Sequence, residues 1–185
     1  MLGNVIFSHF LQTIGRTKHF RRVDREKFIS IVKENQRLIY KICYTYCKDS
    51  ESRKDLEQEI LVQIWKSLSR FDGRVKVSTW IYQVALNTAF LFHRNEAKHK
   101  KNKIYIDKSV LTVADTNVAT ELDERIAKLY RFIDTLDKLN KALVILYLED
   151  RKYKEIADIL GITETNVGTK IGRIKNKLKD YFQNS

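Results

Sequence analysis

A chain of 185 residues with 35 Lys and Arg against 23 Asp and Glu carries a formal charge of +12, which attracts polyanions and disfavours cationic partners. Nucleic acid and an anionic membrane surface are the two obvious partners, and since no apolar run approaches the roughly 18–20 residues a helix needs to cross a bilayer, a soluble protein is the better reading. The length allows one domain or two small ones, since domains commonly run to roughly 100–150 residues.

Proline is absent and nearly every long segment repeats its apolar residues at helical spacing, so the expected class is all-α. The first stretch, MLGNVIFSHFLQTIGR, has no Lys or Arg before Arg16 and no small-residue cleavage site, which makes it a poor signal peptide. Phe7, Phe10, Leu11 and Ile14 fall at helical spacing, and residues 1–23 read as a loosely docked extension rather than a membrane-surface anchor. From Asp24 to about Lys48, Phe28, Ile31, Val32, Leu38, Ile39 and Ile42 mark one or two helices. Cys43 and Cys47 lie four apart there and read as small core residues among Ile39, Ile42 and Tyr46. Neither a second cysteine pair nor a close histidine pair completes a metal site, and so few cysteines fit a reducing cytoplasm.

Residues 49–69, DSESRKDLEQEILVQIWKSLS, open with capping residues and continue with Leu56, Ile60, Ile64 and Leu68 at spacing four, a second helical region. RFDGRVKV, residues 70–77, is the one irregular stretch of the first half, with a turn at Asp72-Gly73. A helix follows to about Lys98, with Ser78 or Thr79 as its expected N-cap. After the basic run RNEAKHKKNK, residues 104–122 lose helical periodicity and turn acidic, which marks a linker between a domain at 24–103 and another at 123–185. In the second domain helices are expected at 123–136, 138–149, 153–160 and 164–182.

Three features carry chemistry. In YKEIADILGITETNVGTKIGRIKNKL, Ile156, Ala157, Ile159 and Leu160 form one buried side, Gly161 permits the positive φ that stops the helix, and Thr163 can cap the next. Val167, Ile171, Ile174 and Leu178 then form a second seam, opposite Thr165, Asn166, Thr169, Lys170, Arg173 and Lys177, whose hydroxyl, amide and cationic groups suit base edges and phosphates. The pattern is a helix-turn-helix with its recognition helix second; the plainer alternative is a helical hairpin with a solvated basic face. Gly168 and Gly172 interrupt that helix four residues apart, which points to close approach of DNA or of a neighbouring helix. The last helix of the first domain interleaves Trp80, Tyr82, Phe90 and Phe92 with polar residues and ends in Arg94, Lys98, Lys100, Lys101 and Lys103. Aromatic faces beside cations suit unstacked bases, although periodicity alone assigns Trp80 to the core. Asp55, Glu57, Gln58 and Glu59 make an acidic, polar patch in a basic domain, which suits a protein partner better than DNA.

In their order, DLEQEILVQIW, FDG with STWIYQVALNTA, a basic tail, a linker and YKEIADILGITETNV resemble regions two and four of bacterial RNA polymerase sigma factors, in the compact layout of the extracytoplasmic-function group. The likeness covers about residues 24–103 and 123–183. The resemblance implies that the region of Asp55, Leu56, Gln58, Glu59 and Gln63 binds the β′ clamp helices of core polymerase. It implies that the loop around Phe71, Asp72 and Gly73, with Ser78, Thr79, Trp80, Gln83 and Asn87, holds a flipped base of the −10 element, and that Arg94, Lys98, Lys100 and Lys101 track adjacent phosphates. It further implies that Thr163, Thr165, Asn166, Thr169, Lys170, Arg173 and Lys177 face the −35 major groove, that the linker threads toward the RNA exit path, and that the β flap and, commonly in this group, an anti-sigma factor are further partners.

Asn166-Val167-Gly168-Thr169-Lys170 stands where the family usually has Thr-Val-Lys-Ser-Arg, so its usual −35 preferences are not carried over; Lys54 and Asp137 are lesser departures. The chain shows no Ser-His-Asp arrangement, phosphate-binding glycine loop or metal-ligand spacing, so neither catalysis nor a cofactor is expected. The rival reading is a stand-alone helix-turn-helix regulator, which would bind duplex DNA without polymerase.

Overall fold

The computed structural model describes residues 22–100 and 121–183, and every regular element among them is helical. The elements are α1 (Arg22–Glu34), α2 (Gln36–Tyr46), α3 (Ser50–Leu68), α4 (Val77–Lys100), α5 (Glu121–Thr135), α6 (Lys138–Leu148), α7 (Tyr153–Leu160) and α8 (Glu164–Gln183). The chain divides into two compact units, Met1–His93 and Arg94–Ser185, and each is described by itself. That division falls inside α4, ahead of the boundary expected at residue 103. The extension 1–21, Lys101, Lys103 and the linker residues 104–120 lie outside the described residues, as do the side chains of Lys98 and Lys100.

In the first unit the break between α1 and α2 is a single residue. Asn35 leaves the helical region at φ −109° and ψ 12°, and its side-chain amide donates to the Ile31 carbonyl at 2.8 Å. An Asn that satisfies a helix-end carbonyl with its own amide competes with the next turn, which is why one apolar periodicity yields two helices. Asp49 caps α3 by accepting from the Ser52 amide at 2.8 Å, an interaction that lowers its carboxyl's pKa. Arg53 ties the preceding turn down through the carbonyls of Cys47, at 2.9 Å, and Lys48, and its guanidinium lies over the Tyr44 ring.

These helices bury one face each: Phe28, Ile31 and Val32 from α1, Ile39, Ile42, Cys43 and Tyr46 from α2, and Leu56, Ile60, Ile64 and Leu68 from α3. Both cysteines are buried and neither is in a disulfide, and burial pushes the Cys43 thiol far above its ordinary pKa, with the charges of Glu57 and Cys47 adding to the effect. They are core residues, as their surroundings in the sequence imply. From α4 come Trp80, Ile81, Tyr82, Ala85, Leu86 and Ala89, and Phe90 meets Tyr46 edge-on with ring centroids 5.9 Å apart. The expected N-cap of α4 is corrected: the helix begins at Val77, with the Trp80 amide bonded to the Lys76 carbonyl at 3.1 Å, so Ser78 and Thr79 occupy its first turn.

In the second unit Asp137 caps α6 by accepting from the Asn140 amide at 2.9 Å. The turns after α6 and α7 repeat one solution. Arg151 N–H reaches back to the Leu146 carbonyl and Ile162 N–H to the Ala157 carbonyl, each at 3.2 Å, across a residue of positive φ. That residue is Gly161 at 66° after α7, as expected, and Asp150 at 56° after α6. Phe132 and Ile133, Ala142 to Leu146, Ile156, Ala157 and Ile159, and Val167, Ile171 and Ile174 form the core.

Candidate functional site

The acidic surface of the first unit lies along α3. Asp55, Gln58 and Glu59 are exposed at one-turn spacing, and Gln63, half-buried one turn on, donates to the Glu59 carboxylate at 2.7 Å. Two nominated side chains are not on that surface. Leu56 is fully buried and holds the helix from beneath. Glu57 is half-buried on the side facing Cys43, and burial raises its carboxyl above the ordinary 4.5. The surface available to a partner is therefore the trio Asp55, Gln58 and Glu59 with Gln63, joined to the core by its own helix.

The second group surrounds the turn before α4. Gly73 adopts φ +77°, and Asp72 accepts from the Arg74 amide at 3.1 Å and pairs with its guanidinium at 3.0 Å. Both side chains are exposed, so the ion pair shapes the turn more than it stabilises the fold. Phe71, half-buried, stacks on Trp80 with ring centroids 4.8 Å apart and planes 28° from parallel. Trp80 is only 9% exposed and Thr79 only 4%, so neither presents a face to a base; they support the turn from inside. The solvent side of α4 runs through Ser78 and Gln83, both half-buried, to Asn87, Leu91 and Arg94, which are exposed. That face is polar at its start and cationic at Arg94, with Leu91 48% exposed between them.

The third group is the α7–α8 hairpin. Glu164–Gln183 buries Val167, Ile171 and Ile174, with Leu178 half-buried at the end of the same seam. Thr163 fulfils its capping role by accepting from the Asn166 amide at 3.2 Å. Thr165, Asn166, Thr169, Arg173 and Lys177 are exposed, and Lys170 is half-buried. At 3.6 residues per turn, the strip opposite the seam is Thr165, Thr169, Gly172 and Asn176, with Arg173, Asn166 and Lys177 on one flank and Lys179 on the other. Lys175 beside Lys179 donates to the Tyr147 hydroxyl at 2.7 Å, which raises its pKa and keeps its ammonium on the protein. The arrangement places short neutral polar groups along the first three turns of the strip and cations on both flanks, as a base-lined groove between two phosphate strands requires, while the exposed Asp180 brings a negative charge to the strip one turn beyond Asn176.

Sequence reasoning nominated most of these positions and omitted Arg74, Asn176 and Lys179. The helical wheel alone assigns Asn176 and Lys179 to the exposed side; Arg74 needed the geometry of the turn. Among the described residues no cluster of His, Cys, Asp and Glu could hold a metal ion, and no helix is long and apolar enough to cross a membrane.

Residues 31–99 match the family model described as Sigma-70 region 2, and residues 126–178 that described as Sigma-70, region 4; the two cover roughly two thirds of the chain. The chain is 27% identical over 184 residues to the ECF RNA polymerase sigma factor SigW of Bacillus subtilis, covering 91% of this chain and 95% of that protein. It is 28% identical over 147 residues to SigM of the same organism, covering 78% and 88%. Among solved structures it is similar to the sigma factor RpoE, solved in complex with the anti-sigma factor NepR from Bartonella quintana, with a TM-score of 0.68 at 14% identity, covering 85% of this chain and 98% of that one. A second, CnrH in complex with the cytosolic domain of CnrY, gives 0.62 at 17% identity, covering 87% and 90%. With both regions present in order on two helical units, the chain belongs to the sigma-70 family of RNA polymerase sigma factors, in its extracytoplasmic-function group.

Proposed function

We propose that this sigma factor grips a promoter at two points while anchored on core RNA polymerase. Asp55, Gln58, Glu59 and Gln63 dock α3 on the β′ clamp helices. The turn at Phe71–Gly73, supported by Trp80, and the α4 face with Ser78, Gln83 and Asn87 hold an unstacked −10 base, while Arg94 and the basic residues after it follow the phosphates. The exposed side of α8 reads the −35 major groove, and the β flap holds the second unit in place. An anti-sigma factor joins the proposed partners, as NepR does for its own sigma factor. The working compartment is the cytoplasm, and the chain performs no bond-making chemistry of its own.

The observation that carries this reading is the exposed side of α8 from Thr165 to Lys177, neutral and polar in the middle and flanked by cations, on a hairpin held by two well-formed caps. Unstacking a base costs a few kcal/mol, which phosphate contacts and a preformed turn offset. Two weak DNA contacts gain effective concentration once polymerase holds both, so the free chain binds duplex promoters poorly. The test is run-off transcription from a library of genomic promoter fragments with purified chain and core polymerase. Stimulation confined to a subset of fragments is expected. No stimulation anywhere, with tight duplex binding by the free chain, would replace this reading with a stand-alone regulator.

A further inference from the structure

The two glycines of α8 occupy different surroundings. A Cβ at Gly168 would meet the Tyr153 ring of α7 at 3.6 Å, an ordinary contact, whereas a Cβ at Gly172 would meet nothing within 4 Å. Gly172 is exposed and lies in the interior of a 20-residue helix. Positive φ among the described glycines is confined to Gly73 and Gly161, so the backbone at Gly172 is one any residue adopts. Glycine weakens a helix interior relative to alanine, and nothing within the described fold requires it there.

Gly172 lies on the strip of the proposed reading face, at its edge toward Lys179. Its neighbours on that strip, Thr165, Thr169 and Asn176, are short and exposed. The Thr169 hydroxyl donates to the Thr165 carbonyl at 3.0 Å, which leaves a methyl group and acceptor lone pairs for any ligand. Groups this short touch base edges only when the helix axis lies close to the groove floor, unlike Arg, which reaches from a distance. The flanking cations Arg173, Lys177 and Lys179 are long enough to meet phosphates from a deeply seated helix. We propose that Gly172 is a positioning residue of the −35 contact: its missing side chain lets α8 seat deeply enough in the major groove for the short groups beside it to reach the bases. The inference rests on the −35 reading above.

The experiment uses the full chain as holoenzyme with core polymerase and, as probe, duplexes that the wild-type holoenzyme selects from a library randomised across the −35 region. Gly172→Ala, Gly172→Leu and, as reference, Arg173→Ala are compared for thermal midpoint and fragment affinity. Gly172→Ala is expected to raise the midpoint while lowering affinity at least fivefold, with Gly172→Leu lower still and the selected −35 sequence changed. A raised midpoint with affinity within twofold of wild type would overturn the proposal, as would a lowered midpoint, which would mean the fold itself needs the glycine. If Arg173→Ala weakens binding and the Gly172 variants do not, only this inference fails. If none of the three changes affinity, the −35 reading fails with it.

Discussion

Truncating Trp80 to alanine is expected to destabilise the first unit by about 3–5 kcal/mol, the usual cost of removing a buried aromatic side chain. The ring is 9% exposed and lies 4.8 Å from that of Phe71, nearly parallel to it. A stacked pair contributes about 0.5–1.5 kcal/mol beyond the area it buries, and this increment should appear as coupling in a double-mutant cycle with Phe71→Ala. Trp80→Phe keeps an aromatic face beneath Phe71 and should retain most of the stability. Urea denaturation followed by tryptophan fluorescence reads the effect cleanly. The chain's two tryptophans, Trp65 and Trp80, both belong to the first unit, so once Trp80 is gone Trp65, edge-on to Phe28 at 5.0 Å, reports that unit alone. A loss below about 1 kcal/mol, where a buried ring should cost several times that, would refute the packing argument, as would zero coupling to Phe71. Under conditions where the Trp80→Ala variant is still folded, it should open promoters more slowly in permanganate footprinting than Trp80→Phe, with −35 binding unchanged in both, because the turn proposed to hold the base rests on the stack.

Three further outcomes are expected. Gly161→Ala should cost about 1 kcal/mol and Asp150→Gly should add about as much, since both positions have φ near +60°, a region a side chain disfavours; thermal melting by circular dichroism measures both, and equal signs would refute the turn assignment. Burial raises the Glu57 pKa in the folded state, so its contribution to stability is fully present below about 4.5 and is lost as pH rises through the raised value. Glu57→Gln should therefore stabilise the first unit at pH 7, with the difference from wild type shrinking toward pH 4; a pH-independent difference in urea midpoint would contradict that sign. Glu59→Lys should weaken binding to core polymerase, measured by fluorescence anisotropy, at least tenfold while leaving the thermal midpoint nearly unchanged. Undiminished polymerase binding would remove α3 from the docking surface.

Where local chemistry decides, the sequence already contains the answer. The expected helix at 153–160 is observed as Tyr153–Leu160, because the residues that end it and start the next, Gly161 and Thr163, act through their own backbone and one nearby amide. The caps Asp49 and Asp137 act over three residues, and the seam of α8 follows from the helical repeat. The all-helical class, the helix-turn-helix and the excess positive charge are thus properties of the chain itself. Packing decides the rest. Ser78 and Thr79 are good caps by composition, yet α4 starts ahead of them at Val77, and Thr79 and Trp80 lie in the core. Leu56 and Glu57 sit among exposed Asp55, Gln58 and Glu59 in the sequence but turn inward in space. Gly168 and Gly172, indistinguishable as letters, differ because only one has the Tyr153 ring beside it. Which faces are covered depends on side chains distant in the chain, so the sequence by itself determined the helices, their caps and their charge, and only the tertiary structure decided which nominated residues can touch a partner.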